Sequence, residues 1–127
     1  MVLGPEGTLY EGGFFKARLS FPETYPQSPP EMKFISEVYH PNVHADGKVC
    51  ISILHPPGDD EYGYEKSYER WLPIHTIETI ILSVISMLSD PNDESPANID
   101  AARDWRDNKE EFKKKVRRNV RRSLEEM

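Results

Sequence analysis

At 127 residues the chain is long enough for one compact domain and too short for two, and its 37% hydrophobic content is clustered in a way that excludes general disorder. The net charge of −6 hides a basic end (Lys109, Lys113, Lys114, Lys115, Arg117, Arg118, Arg121, Arg122) and an acidic middle (Asp59, Asp60, Glu61, Glu65, Glu69), a split that argues against nucleic acid as a partner. A single cysteine excludes an internal disulfide, and no stretch approaches the ~18 apolar residues of a membrane span or resembles a signal, so the expectation is a soluble intracellular protein, cytoplasmic first and nuclear second.

Val2 and Leu3 read as the stub of a strand, followed by turn punctuation at Gly4-Pro5-Glu6-Gly7 and Glu11-Gly12-Gly13. Over residues 14–21, Phe15, Ala17, Leu19 and Phe21 alternate with Lys16, Arg18 and Ser20, the period of a half-buried strand. Four prolines over residues 22–30 then forbid a helix or a central strand, and one of their peptide bonds is a candidate for cis. Residues 32–35 give a second short strand in what reads as an antiparallel meander. Residues 38–54 have no clean period and read as an irregular packed segment. Residues 56–70 form a polar loop, and a loop that long inside a compact domain is usually functional.

Beyond Thr76 the period changes to that of a helix. Ile77, Ile80, Ile81, Val84, Ile85 and Leu88 share a face, Pro73 lies upstream, and Asp90-Pro91-Asn92 stops the run, so this is the expected central core helix. Asn98 is the expected cap of a shorter helix through Trp105, and Asn108 of a last one with Glu110 and Glu111 in its first turn. The last helix carries only a thin apolar stripe, Phe112, Val116, Val120 and Leu124, and is expected at the periphery. The fold class is α+β, an antiparallel meander packed against a central helix with two further C-terminal helices.

The chemistry concentrates in residues 39–54. Cys50 alone would read as a small buried hydrophobe. His40-Pro41-Asn42, an Asp46-Gly47 turn and a cysteine eight residues after the Asn change that reading. With Tyr25-Pro26 and Pro29-Pro30 before them, and Trp71, Pro73 and Asp90-Pro91-Asn92 after them, the chain resembles the ubiquitin-conjugating (UBC) family over nearly its whole length. It is most similar to the G-type members, whose insertion after the active cysteine would fall within residues 55–70. The spacing of His40, His44, Cys50 and His55 fits no compact zinc pattern, so no metal is expected. Trp71 and Trp105 read as packing residues and the basic helix as a solvated face. A hydrolase built on Cys50 and His40 lacks any third orienting residue in the sequence.

The resemblance implies a UBC-like fold and a single UBC core domain over residues 1–127, N-terminally truncated because the family's opening helix and most of its first strand are absent. It implies a transferase in the ATP-dependent ubiquitin cascade: Cys50 accepts ubiquitin as a thioester from an activating enzyme and passes it to a substrate lysine with a ligase, of RING type, building polyubiquitin. No cofactor is implied. Asn42 would support the oxyanion or brace the loop that does. His40 and Pro41 would shape that loop, with His40 a structural hydrogen-bonder rather than a base. Ser95 stands where family members commonly have an acid, so His55, Asp59 and Asp60 become candidates for guiding the incoming lysine, by orientation and desolvation rather than plain base catalysis. Phe34, Leu72, Pro73 and Ile74 would form the ligase-binding surface, and Thr79, Ser83 and Ser86 the donor-ubiquitin surface. The alternative is a catalytically impaired, truncated UBC domain acting as a ubiquitin- or ligase-binding scaffold.

Overall fold

The computed structural model describes residues 1–58 and 65–127. β1 (Val2–Leu3) lies antiparallel to β2 (Phe14–Phe15), with Val2 opposite Phe15. β3 (Ala17–Ser20) lies antiparallel to β4 (Glu31–Phe34), with Leu19 opposite Met32. β4 buries Met32 and Phe34 and exposes Glu31 and Lys33, as a strand with one wet face must.

The strand expected over residues 14–21 is broken at Lys16. Its N–H donates to Ser36 Oγ at 2.9 Å, and its carbonyl accepts from Ile35 and Ser36, so the chain turns aside to hold the segment after β4. Alternation also fails at its end: Phe21 is 47% exposed, its ring edge-on to Tyr25. The Tyr25–Pro26 bond is the cis one.

α1 (Ile77–Ser89) opens with a reciprocal cap: the Thr79 N–H donates to Thr76 Oγ1 at 3.3 Å and the Thr76 N–H to Thr79 Oγ1 at 2.9 Å. It buries Ile80, Val84, Met87 and Leu88, while Ile77 and Leu82 face out, so its core stripe is narrower than the apolar count suggests. α2 (Ile99–Asp107) begins where Asn98 Oδ1 accepts from the Ala101 N–H at 3.0 Å.

α3 (Lys109–Glu125) corrects two expectations. Asn108 holds the cap position but its side chain makes no cap bond. Nor is the helix peripheral, because Phe112 and Val116 are fully buried and its inner stripe continues through Asn119 and Ser123, with Leu124 turned outward. Those two polar residues are buried because they satisfy open backbone. Asn119 Oδ1 accepts from the Tyr39 N–H at 2.6 Å, and Ser123 Oγ accepts from the Phe14 N–H at 3.0 Å. Phe15, Val43, Trp71, Val84 and Phe112 belong to a common core between the strands and the helices.

Candidate active site

Gly47 sets the position of the cysteine. Its φ of +102° suits glycine, and a Cβ there would lie 2.1 Å from the Phe34 carbonyl oxygen. Asp46 Oδ1 accepts from the Lys48 N–H at 3.0 Å and tightens the turn. Residues 47–49 thereby run along β4: the Phe34 N–H donates to the Gly47 carbonyl at 2.8 Å and the Val49 N–H to the Met32 carbonyl at 2.9 Å. The next residue, Cys50, emerges half-buried with its N–H on the Asn42 carbonyl at 2.9 Å.

The segment carrying His40, Pro41 and Asn42 is tied down on every side. The Tyr10 hydroxyl donates to the Tyr39 carbonyl at 2.6 Å, and the Tyr39 hydroxyl to Asp104 at 2.6 Å, with Lys115 on the same carboxylate. His40 is fully buried; its Nδ1 accepts from the Asn42 N–H at 2.9 Å and its Nε2–H faces the Met87 carbonyl at 2.8 Å. That arrangement fixes one neutral tautomer, and burial lowers its pKa to about 4. The Pro41 carbonyl accepts from both Ala97 and Asn98. Asn42 meets the backbone of Asn92 with both ends of its amide, Nδ2 on the carbonyl at 2.8 Å and Oδ1 from the N–H at 2.9 Å. The Asp90-Pro91-Asn92 turn is thus locked to the His40-Pro41-Asn42 segment.

Beside Cys50 opens a polar hollow of about 460 Å³. Cys50, Asn42, His55, Ser83, Ser86 and Ser95 all line it, which brings together residues up to 53 apart in the sequence, from Asn42 to Ser95. The 3-10 turn Ser52–Leu54 folds the chain back so that His55 Nε2 lies 3.5 Å from Cys50 Sγ. The Trp71 N–H donates to the His55 carbonyl at 3.1 Å and its indole N–H to the Pro26 carbonyl at 2.7 Å, so the long loop closes on itself at His55 and Trp71. Glu65 reaches His55 Nδ1 at 2.8 Å. The pKa of His55 is raised to about 9, first by the hydrogen bond with Cys50 and then by the bond and charge of Glu65, against the opposing pull of burial. Burial alone would raise Glu65, but hydrogen bonds from Ser52 and His55 hold it below the usual carboxylate range.

Some expected residues stand elsewhere. Asp59 and Asp60 lie outside the described residues. Phe34 is corrected: at 2% exposure on the inner face of β4 it offers no surface to a ligase. Leu72 and Pro73 are accessible and Ile74 is 82% exposed, while the aromatics on the neighbouring proline-rich loop are Phe21 and Tyr25. Tyr25 packs on Trp71, with ring centroids 6.1 Å apart, joining the two loops. Thr79 is engaged in the α1 cap, away from the hollow that Ser83 and Ser86 line. His40 is turned away from Cys50 toward Met87, so the residue partnering the sulfur is His55. Glu65 was missed as a site residue; only the acidic run containing it was visible, and no local spacing links it to His55.

Residues 1–120 match the family described as ubiquitin-conjugating enzyme. The chain is 71% identical over 98% of its length to ubiquitin-conjugating enzyme E2 15 of Schizosaccharomyces pombe, covering 75% of that protein. It is 68% identical over 98% of its length to E2 14 of Arabidopsis thaliana, covering 74%. The chain therefore belongs to the ubiquitin-conjugating enzyme family, a family of transferases with this α+β fold. Within it the chain is of the G type: it is 56% identical to the human ubiquitin-conjugating enzyme E2 G2 over 98% of its own length and 75% of the relative's. Among the described residues no helix is long and apolar enough to cross a membrane.

Proposed function

We propose that residues 1–127 act as one UBC core domain in which Cys50 accepts ubiquitin as a thioester and, with a RING-type ligase, passes it to substrate lysines to build polyubiquitin. The observation carrying this reading is a half-exposed thiol at the mouth of a polar hollow, beside an imidazole and next to a rigid, doubly tied loop. Thiolate is the nucleophile when ubiquitin is taken from the activating enzyme and the leaving group when the lysine amine attacks, which is why sulfur serves both steps. A free thiol used this way belongs in a reducing compartment, the cytoplasm or nucleus.

Asn42 braces the active loop: both ends of its amide are committed to Asn92. The hollow walled by α1 gives the acyl group and the incoming lysine a place to meet. Leu72, Pro73 and Ile74, with Phe21 and Tyr25, form the ligase surface; exposed apolar groups on two touching loops make a suitable hot spot. Ser83 and Ser86, with exposed Leu82 one turn before Ser86, form the donor-ubiquitin face. Asp59 and Asp60 orient the lysine ammonium.

Charging tests this reading. With activating enzyme, ATP and ubiquitin, a non-reducing gel should gain a band heavier by one ubiquitin that disappears on adding thiol. Cys50→Ser should give a thiol-resistant band or none. A wild-type chain that never charges, yet binds ubiquitin or ligase, would refute the enzyme in favour of a binding scaffold.

A further inference from the structure

Side chains beside the sulfur form a relay. His55 Nε2 faces Cys50 Sγ at 3.5 Å, and the Glu65 carboxylate holds the opposite ring nitrogen, Nδ1, at 2.8 and 2.9 Å. Glu65 is oriented in turn by the Ser52 hydroxyl, from the turn that follows Cys50, and by Arg70 at 3.4 Å. An ionised carboxylate only accepts, so Nδ1 carries a hydrogen and Nε2 meets the sulfur side as a lone pair or, once protonated, as a second N–H. Glu65 is held in the ionised form by its donors.

Resting on the reading of Cys50 as the thioester carrier, we propose that His55 is the proton acceptor for the attacking amine and that Glu65 is the residue that positions it. In the step, the lone pair of a neutral lysine amine forms the C–N bond and the C–S bond breaks with its electron pair left on Sγ. The surplus amine proton passes to His55 Nε2. The products are an isopeptide, a Cys50 thiolate and a His55 imidazolium facing it across the 3.5 Å contact.

The charge balance supports the timing. In the free enzyme the first cause of the raised His55 pKa is its hydrogen bond with Cys50. Acylation removes that partner, so loading the thioester weakens the hold of the ring on its proton and moves it toward the neutral form that accepts one when the amine attacks. Among the described residues, the other charged groups on this side are Glu69 and Asp90, which line the same hollow, and Arg70, behind Glu65.

Single-turnover discharge of preloaded chain to free lysine, followed from pH 6 to 9, tests the assignment. His55→Gln should slow discharge about 100-fold, the usual scale of a lost general base. Glu65→Gln should slow it about tenfold, the scale of one lost charge-assisted hydrogen bond, and move the pH midpoint of the rate downward. A merely structural Glu65 would lower the rate without moving the midpoint. A second readout needs no variant: the His55 ring, followed by NMR in wild-type chain, should titrate near 9 and fall when Cys50 is capped as a methyl disulfide. Thioester formation with a Glu65→Gln rate and midpoint equal to wild type, or a ring titration indifferent to capping, overturns the relay. Failure of wild type to form any thioester overturns instead the reading on which it rests.

Discussion

Replacing Gly47 by alanine should cost about 3 kcal/mol of stability and most of the activity together. Holding an L-residue at φ +102° costs roughly 1–2 kcal/mol. The new methyl would lie 2.1 Å from the Phe34 carbonyl oxygen, a backbone atom that cannot swing aside, so the turn must move away from β4. Moving it breaks the 2.8 Å bond from the Phe34 N–H to the Gly47 carbonyl, worth about 1 kcal/mol net. Against a typical total of roughly 5–15 kcal/mol the variant should still fold, with a lower urea midpoint. Trp71, fully buried, is a suitable fluorescence reporter. Because the same turn delivers Cys50, ubiquitin charging should fall at temperatures where the variant remains folded. A midpoint within about 0.5 kcal/mol of wild type, the range of a neutral surface change, would refute the account of how this turn is held.

Other residues give separate checks. Asn119→Ala should cost about 1–3 kcal/mol by taking the partner from the part-buried Tyr39 N–H, and that amide should lose hydrogen-exchange protection; unchanged protection would refute this tie between α3 and the His40 segment. Asn42→Ala should lower the unfolding midpoint by a similar ~1–3 kcal/mol, since two backbone groups of Asn92 lose their partners; a fully stable variant that only loses lysine transfer would make Asn42 an oxyanion donor instead. His40 is held neutral with a pKa near 4 while the unfolded chain protonates near 6.5, so between those values the unfolded state binds more protons. Its contribution is therefore present above pH 6.5 and lost as pH falls toward 4, by about 3 kcal/mol at most. Denaturant curves of wild type and His40→Gln should converge in that direction, and parallel curves would contradict the assignment.

Much of this was legible locally. The segment from His40 to Cys50 announces itself by fixed spacing, and the cap at Asn98 by residue type, because both are set by neighbours in the chain. What escaped depends on distant partners. Asn119 and Ser123 are polar, so a hydrophobic stripe passes over them, yet each is buried to satisfy a backbone donor 80 or 109 residues away. Glu65 was hidden because its link to His55 spans a loop closed by Trp71. Phe34 shows the opposite error. Its place two residues after Met32 on a short strand puts it on the buried face, and a surface role carried over by resemblance ran against that pattern.

The most direct measurement is the mass of the charged chain and the site of its acyl group. After reaction with activating enzyme, ATP and ubiquitin, intact mass spectrometry should show the chain plus one ubiquitin less one water. Fragmentation should then locate the ubiquitin C-terminus on the peptide containing Cys50. Acylation of a lysine in place of Cys50, or persistence of the adduct in thiol, would contradict a sulfur-borne intermediate.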